Sequence, residues 1–431
     1  MTLNRVAVMF ALGVALFGLA LASSAQPALA QQGVLFAGWS GEEEASKPFF
    51  QWMISSFNAA NPDVEVRWLG WPWDQTQQQL VLRYQSRQAP DIAQIDVNWL
   101  HTFAALDALV DLNTVIGADR LAELMDPGLL ALGQVNGRQL AIPWTTASIG
   151  LVANPKILEK AGVTSPPETV DEFVAALEAI KATQPDVIPY AISTKNNATI
   201  SGDFQAWLWT FGGRIFDADG NVVVNSPATV QALRWLKDLL DRGLIARDVD
   251  RFDARTMFAQ QRVGFYDDAI LAKNVARANS GLGPAFDENI MPLARPVLQR
   301  GDTPRSVAWG HLLVVFKQPQ PVTADSGAVR FLNYVVFEDL VPLEYFKSQG
   351  LLPTSRSALA ADIVQQDEYS ATWAQFTRTS TPNETSRWPN GAQMTNVIGE
   401  EVQAAILGLK TPEQAARDMA SRLQALVDEV R

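Results

Sequence analysis

The chain has no cysteine and only two histidines among its 431 residues. The first absence excludes disulfides, thiolate metal sites, cysteine nucleophiles and the thiol to which a lipid anchor attaches. The second leaves Ser-His relays and multi-histidine metal centres poorly supplied. A phosphate-cradling GxxxxGK(S/T), an HExxH and a GxSxG are also missing, so common signatures of nucleotide hydrolysis, zinc proteolysis and acyl transfer do not occur. Positive charge is in deficit, with 34 Lys and Arg against 46 Asp and Glu, a formal net charge of −12. Phosphate backbones are bound through Lys and Arg, so nucleic acid is not an expected partner. Beyond residue 30 no apolar run is long enough to cross a bilayer.

What is present begins with an export signature. In residues 1–30 Arg5 is the only charge, Val6 to Leu21 is apolar, and Ala28-Leu29-Ala30 has the small-x-small form of a cleavage site. Removing this leader takes the formal charge to −13. A leader without a lipidation cysteine points to a protein free in a Gram-negative periplasm. A hydrophobic fraction of 48% over this length can enclose at least two cores. No internal repeat or low-complexity tract interrupts it.

After Gly33, short apolar runs alternate with helical patterns: Val34 to Ala37, a helix near Ala45 to Ala60, Val64 to Trp68, a helix near Gln75 to Gln88, then Ile92 to Ile95. Strands separated by helices predict an α/β unit with a largely parallel sheet, whose ligands would sit beyond the strand C-termini. Leu140 to Ile180 reads as a strand that stops at Pro143, a second strand through Ile149, Leu151 and Val152 that Asn154-Pro155 breaks, a short helix ending at Gly162, and a helix begun by Thr169 with Glu172 three residues on. A helix over Ala228 to Asp241 has Ser226-Pro227 at its start, and its Trp235 reads as core. Later come the runs VGFYDDAI, IMPLARP and SVAWGHLLVVF, helical patterns near Asp325 to Phe337 and Leu340 to Gln349, and a helix start at Thr411-Pro412-Glu413. Asp217, Asp219, Gly220 and Asn221 lack the spacing of a calcium loop and read as a hairpin turn between Phe216 and Val222.

This order, with the PPETVDEF turn and helix start and the AIPW strand end, resembles the maltose-binding-like family of extracellular solute-binding proteins that serve carbohydrate ABC transporters. The resemblance spans nearly the whole chain after the leader. It implies a two-lobed α/β periplasmic binding protein fold (type II) with three hinge crossings, near Ala147, Gly310 and Ile363. The lobes would be assembled from 31–146 and 310–365 on one side and 147–309 and 366–431 on the other. A monomer without cofactor or metal, working with ABC permease subunits in the inner membrane, is the matching expectation.

The chemistry fits a sugar. A pyranose offers apolar C–H faces and a rim of hydroxyls, so its binder needs flat rings beside paired hydrogen-bonding groups. The chain carries 13 tryptophans, several at strand ends. Trp39 precedes Glu42 and Glu43, Asp96 and Trp99 follow the Ile92 strand, and Trp144 sits at the hinge. By the resemblance, Glu42, Glu43, Asp96 and Trp99 occupy binding loops, Asp268 replaces a Gly-Pro-Trp-like loop, Trp309 stands where a small residue is usual, and Trp388 supplies the stacking ring of the second lobe. Trp71 and Trp73 are either site rings or a packed turn, whereas Trp52 reads as packing. Two other readings use the same residues: a secreted glycoside hydrolase, which needs two carboxyl groups across a scissile bond, and the same fold binding a polyamine in an acidic cleft.

The leader yields a direct test. Mass spectrometry of the exported protein is expected to find Gln31 as the first residue, and retention of Met1 would overturn the cleavage site.

Overall fold

The computed structural model describes residues 31–377 and 379–431, so the export leader lies outside the described residues. Its strands are β1 (Gln32–Gly38), β2 (Val64–Gly70), β3 (Ile92–Asp96), β4 (Gln134–Val135), β5 (Arg138–Gln139), β6 (Ile142–Ala153), β7 (Ile188–Ala191), β8 (Val263–Asp268), β9 (Met291–Leu293), β10 (Ser306–Val315), β11 (Leu352–Pro353) and β12 (Ser380–Thr381). The main sheet runs in the order β2-β1-β3-β10-β6-β8-β7, with β9 and β11 also on β6 and β12 on β10. β1 is parallel to both β2 and β3, as the strand-helix-strand alternation predicts. β4 and β5 form a separate hairpin through Asn136 and Gly137, both at positive φ (52° and 76°).

Two antiparallel strands, β6 and β10, carry the chain between the halves of this sheet. They pair from Leu313↔Ile142 to Val307↔Ile149. At one end β10 continues onto β3, and at the other β6 continues onto β8 and β9. The first half of the sheet is buried on both faces, which explains its near-continuous apolar strands. Val34, Phe36, Leu313 and Val315 enter one core with Phe50, Phe57, Phe331 and Tyr345, while Ala37, Ile95, Leu312 and Val314 enter another with Leu100, Phe103 and Phe316. In the second half, Leu151, Phe265 and Tyr190 meet the apolar faces of helices Val170–Thr183, Ala198–Thr210, Pro227–Asp241, Gly391–Ile406 and Pro412–Asp428. Trp235 belongs there, 4.4 Å from Trp207. Capping boxes at Thr169–Glu172 and Thr411–Gln414 start two of these helices, and Phe216 and Val222 flank a turn closed by Asp217 and Asn221.

The break expected at Pro143 does not occur: β6 is one strand of 12 residues. Leu312 pairs with Pro143 and His311 with Thr145, so Trp144 is an extra residue on β6, a bulge. The irregularity absorbs the proline, whose missing N–H would spoil a regular ladder. A bulge also re-aims a side chain. Trp144 therefore turns into the core, only 1% exposed, stacked 4.6 Å from Tyr345 and edge-on to Phe50. Its expected place in a binding site is corrected here. Toward the C-terminus, helices Asp362–Gln365 and Glu368–Thr377 follow β11, and the second packs over β6, β9 and β10. Trp373 lies so close that a Cβ on Gly150 would fall 2.8 Å from its ring.

Trp144→Ala should cost about 3–5 kcal/mol, the usual range for emptying a large aromatic site. Urea unfolding measures it. A loss below about 1 kcal/mol would show that this ring is not part of the core.

Candidate functional site

A cleft of about 730 Å³ opens where the two halves face each other, within the size range of small-molecule sites. One wall comes from helix Trp73–Gln85 and the segment from Asp96 to Leu106. The other comes from the start of helix Ala198–Thr210, Arg251, the loop from Asn383 to Asn390 and the start of helix Gly391–Ile406. Ile149, Val307 and Trp309 of the crossing strands form its floor. Beside it a space of about 30 Å³ is enclosed by Trp39, Glu43, Trp73, Arg251, Phe252, Arg255, Trp309 and His311 among others, room for a water or two.

Asp96, at the C-terminal end of β3, organises the first wall. Its Oδ1 accepts from the backbone N–H (2.9 Å) and side-chain amide (2.7 Å) of Asn98. Its Oδ2 accepts from the indole N–H groups of Trp309 (2.9 Å) and Trp73 (3.3 Å). One buried carboxylate thus ties together a strand end, a helix start and a crossing strand. Burial holds its pKa above the ordinary aspartate value despite these four donors. Trp99 continues the surface, 5.9 Å from Trp73 and edge-on to Trp39 at 5.4 Å.

Behind these rings lies His311. Gln94 Oε1 accepts from the backbone N–H groups of Trp39 (3.3 Å) and Ser40 (3.2 Å), which assigns the other end of the amide as NH2. That NH2 donates to Ser40 Oγ (2.7 Å) and to His311 Nδ1 (2.9 Å). Nδ1 is therefore the acceptor and Nε2 carries the proton. Nε2 is buried and finds no acceptor among the described residues. The ring stands edge-on between Trp39 (4.9 Å, 84°) and Trp309 (4.8 Å, 83°). Burial lowers its pKa to about 3, so it is neutral at ordinary pH.

Arginines hold the facing side. Arg251 pairs with buried Asp203 and donates from Nε to the carbonyl of Asp267 (3.2 Å). Arg255 is gripped by Asp268 through two 2.8 Å bonds. Glu43 faces it from the first half; burial raises its pKa and the Arg255 charge opposes that rise. The loop carrying Asn383 and Thr385 is anchored by Glu384, which accepts from Trp209 Nε1 (2.5 Å) and the N–H groups of Ile215 (2.9 Å) and Phe216 (2.8 Å). Gln205 also donates to Asn383 Oδ1 (2.8 Å).

The structure gathers part of the expected set. Asp96, Trp99 and Trp309 line the cleft, and Trp39, Glu43 and Trp309 line the smaller space. Glu42 lines neither: it is exposed and accepts from Trp68 Nε1 (2.8 Å). Asp268 lies fully buried behind Arg255 and acts through it. Trp388 faces away, its ring 5.3 Å from Phe216 and flanked by the guanidiniums of Arg387 and Arg431. The second core captures that ring, and only its neighbours Pro389 and Asn390 reach the cleft. Of the WPW pair, Trp73 lines both spaces while Trp71 lies under Arg83. Arg251, Gln77, Thr199, Asn383 and Thr385 were not singled out from the sequence. Thr199 could have been: Asn197 caps the helix by accepting its N–H (3.0 Å), an Asn-x-Thr start better read as a cap than as a glycosylation site.

A sequence profile described as bacterial extracellular solute-binding protein matches residues 52–372. A binding protein of Brucella abortus (strain 2308) is 22% identical over 385 residues, covering 88% of this chain and 90% of its own. Among solved structures, the GacH receptor of Streptomyces glaucescens, studied unliganded and with acarbose, superposes with a TM-score of 0.80 at 21% identity, over 93% of this chain and 100% of that one. Maltose-bound MalE3 of T. maritima gives 0.80 at 24% identity, over 91% and 99%. The fold is thus the two-lobed one of periplasmic binding proteins.

The hydrogen bonds around His311 predict its titration. Nitrogen-15 NMR should show the Nε2–H tautomer, unchanged between about pH 5 and 8. Its pKa lies below that of an unfolded histidine, near 6.5. The unfolded chain therefore binds the proton first, and acidification through that range removes stability until about pH 3. Titration near neutrality would refute the buried assignment.

Proposed function

Because the chain belongs to the bacterial extracellular solute-binding protein family, matched over residues 52–372, we propose that it is the periplasmic binding component of an ABC importer and holds a sugar or oligosaccharide between its lobes. The cleft lining carries this reading. Indoles of Trp73, Trp99 and Trp309 lie among amides and hydroxyls such as Gln77, Thr199, Asn383 and Thr385, and among the described residues only Asp74, Asp96 and Arg251 bring charge. Flat rings against neutral donors and acceptors match the C–H faces and hydroxyls of a sugar. The GacH receptor with acarbose and MalE3 with maltose support the ligand class.

The other readings find less here. A two-carboxylate hydrolase needs an acid and a base free to exchange protons, yet the four donors on Asp96 occupy both its oxygens, and Asp74 is exposed at the helix start. A polyamine would call for several free carboxylates, and the same two are all that line the cleft among the described residues. We read the protein as a monomer without cofactor or catalysis, which delivers its ligand to membrane permease subunits whose partner ATPase supplies the energy. Ligand would draw the lobes together about the crossing strands near Ala147 and Gly310 and the third crossing near Ile363, and the permease would read the closed shape.

Calorimetry against a carbohydrate panel tests this. Trp73→Ala and Trp99→Ala should each weaken the best ligand by about 1–3 kcal/mol, whereas Trp388→Ala should leave affinity unchanged. The cognate sugar should also reduce the radius of gyration in solution scattering and be recovered intact. New reducing ends would install the hydrolase instead, and a panel with no binder would end the carbohydrate reading.

A further inference from the structure

A third space, of about 170 Å³, adjoins the cleft on the side of the β4–β5 hairpin. It shares Ala105 and Pro389 with the cleft and no residue with the small space beside Trp39 and Glu43. The cleft thus borders a pocket of about 30 Å³ in one place and a roomier annex in another. One side of the annex belongs to the first lobe: His101 and Ala104 on helix Leu100–Ala105, Asn136 and Arg138 on the hairpin. Pro389 of the second lobe supplies the other side, so the annex takes shape only when the lobes lie together.

We propose that the annex is a further subsite, which holds one more monosaccharide unit of the ligand in the cleft, so that the protein prefers oligosaccharides long enough to reach Arg138. This rests on the carbohydrate reading of the cleft. The annex repeats the chemistry of the cleft on a smaller scale, with apolar Val135, Leu140 and Pro389 beside the polar ends of His101, Asn136 and Arg138. Its volume is several times the roughly 30 Å³ that one water occupies in the liquid. Arg138 is pre-positioned: Nη1 donates to Asp107 (3.2 Å) and Nη2 to the carbonyl of Leu109 (3.5 Å), bonds that leave Nε uncommitted among the described residues. His101 is half-buried, and burial lowers its pKa, so a neutral imidazole offers a ring face and a hydrogen-bonding nitrogen. Asn136 lies in the left-handed turn of the hairpin, exposed at the rim. The small pocket at Trp73 and Trp309 leaves no room for a sugar ring. A bound chain would therefore place one end against those indoles and extend toward the annex.

The experiment is calorimetry of the mature protein with maltodextrin, chitooligosaccharide and arabinooligosaccharide ladders of two to five units, repeated on the variant His101→Ala/Arg138→Ala. Affinity of the wild type should rise by about tenfold at the unit that first enters the annex, the scale of one added ring contact. The variant should lose that step and keep its affinity for shorter members. A wild type indifferent to length, a step that survives in the variant, or a variant weakened equally at every length would overturn the annex while leaving the cleft reading in place. Failure of every ladder to bind would overturn both.

Discussion

The antiparallel pairing of β6 with β10 is the constraint to which every part of the site is referred. Ala147 pairs with Trp309 and Thr146 with Gly310 where the chain passes between the halves of the sheet. A Cβ on Gly310 would fall 2.5 Å from the carbonyl of Thr145, so this approach requires glycine. With that register in place, Trp309 and His311 project two residues apart from one face of β10, and His311 pairs with Asp96 on β3. The indole of Trp309 then meets the carboxylate of Asp96, and Trp73 completes the wall from the adjoining helix. Shifting β10 by one residue would put these side chains on the opposite face.

Asp96 carries a cost that stability alone does not explain. Each bond to a charged acceptor contributes about 1.5–3 kcal/mol, yet burial still leaves its pKa raised, so solvation lost outweighs what the four donors restore. Buried charge of this kind is weak evidence for stability and better evidence for specified geometry. Here the geometry is the orientation of two indoles whose N–H groups point at the carboxylate and whose faces are left for the cleft. The second lobe uses the same device: Asp203 holds Arg251 at the cleft and Asp268 holds Arg255 at the smaller space beside it, each a buried carboxylate fixing a cation.

Legibility in the sequence followed the range of the interactions. Strands β1 to β3, the capping boxes at Thr169 and Thr411 and the packing role of Trp235 are set by neighbours within a turn or two, and periodicity shows them. The Asn136-Gly137 hairpin was equally local and was passed over, although Asn-Gly between short extended runs is a strong turn signal. Trp144 and Trp388 were misplaced because their directions depend on distant partners. A one-residue bulge against β10 turns Trp144 inward, and Phe216, more than 170 residues away in sequence, draws Trp388 into a core. The resemblance located the loops but not which way their side chains point. For Glu42 and Glu43, adjacent in sequence, the short 3-10 turn over Ser40–Glu42 sends one to Trp68 on the surface and the other toward Arg255.

On the proposed function, the near-neutral lining would give closure its dependence on ligand. Amides and hydroxyls in an open cleft are satisfied by water, whereas a buried group left unpaired costs about 1–3 kcal/mol. Closing an empty cleft would accumulate that cost over several side chains of both lobes, and a hydroxyl-rich ligand that pairs with them removes it. Contacts across the proposed lobes include Trp73 with Phe252, 6.3 Å apart, Glu43 facing an Arg255 already neutralised by Asp268, and Asn274 donating to the carbonyl of Lys347 (3.0 Å). A differential affinity of about 5.5 kcal/mol is what carries a two-state equilibrium from one part in a hundred closed to nearly complete closure. On the proposed function, a handful of amide and hydroxyl pairings made only in the closed form, together with stacking on Trp73 and Trp99, would be of that order, and would be available only to a ligand that reaches both walls at once.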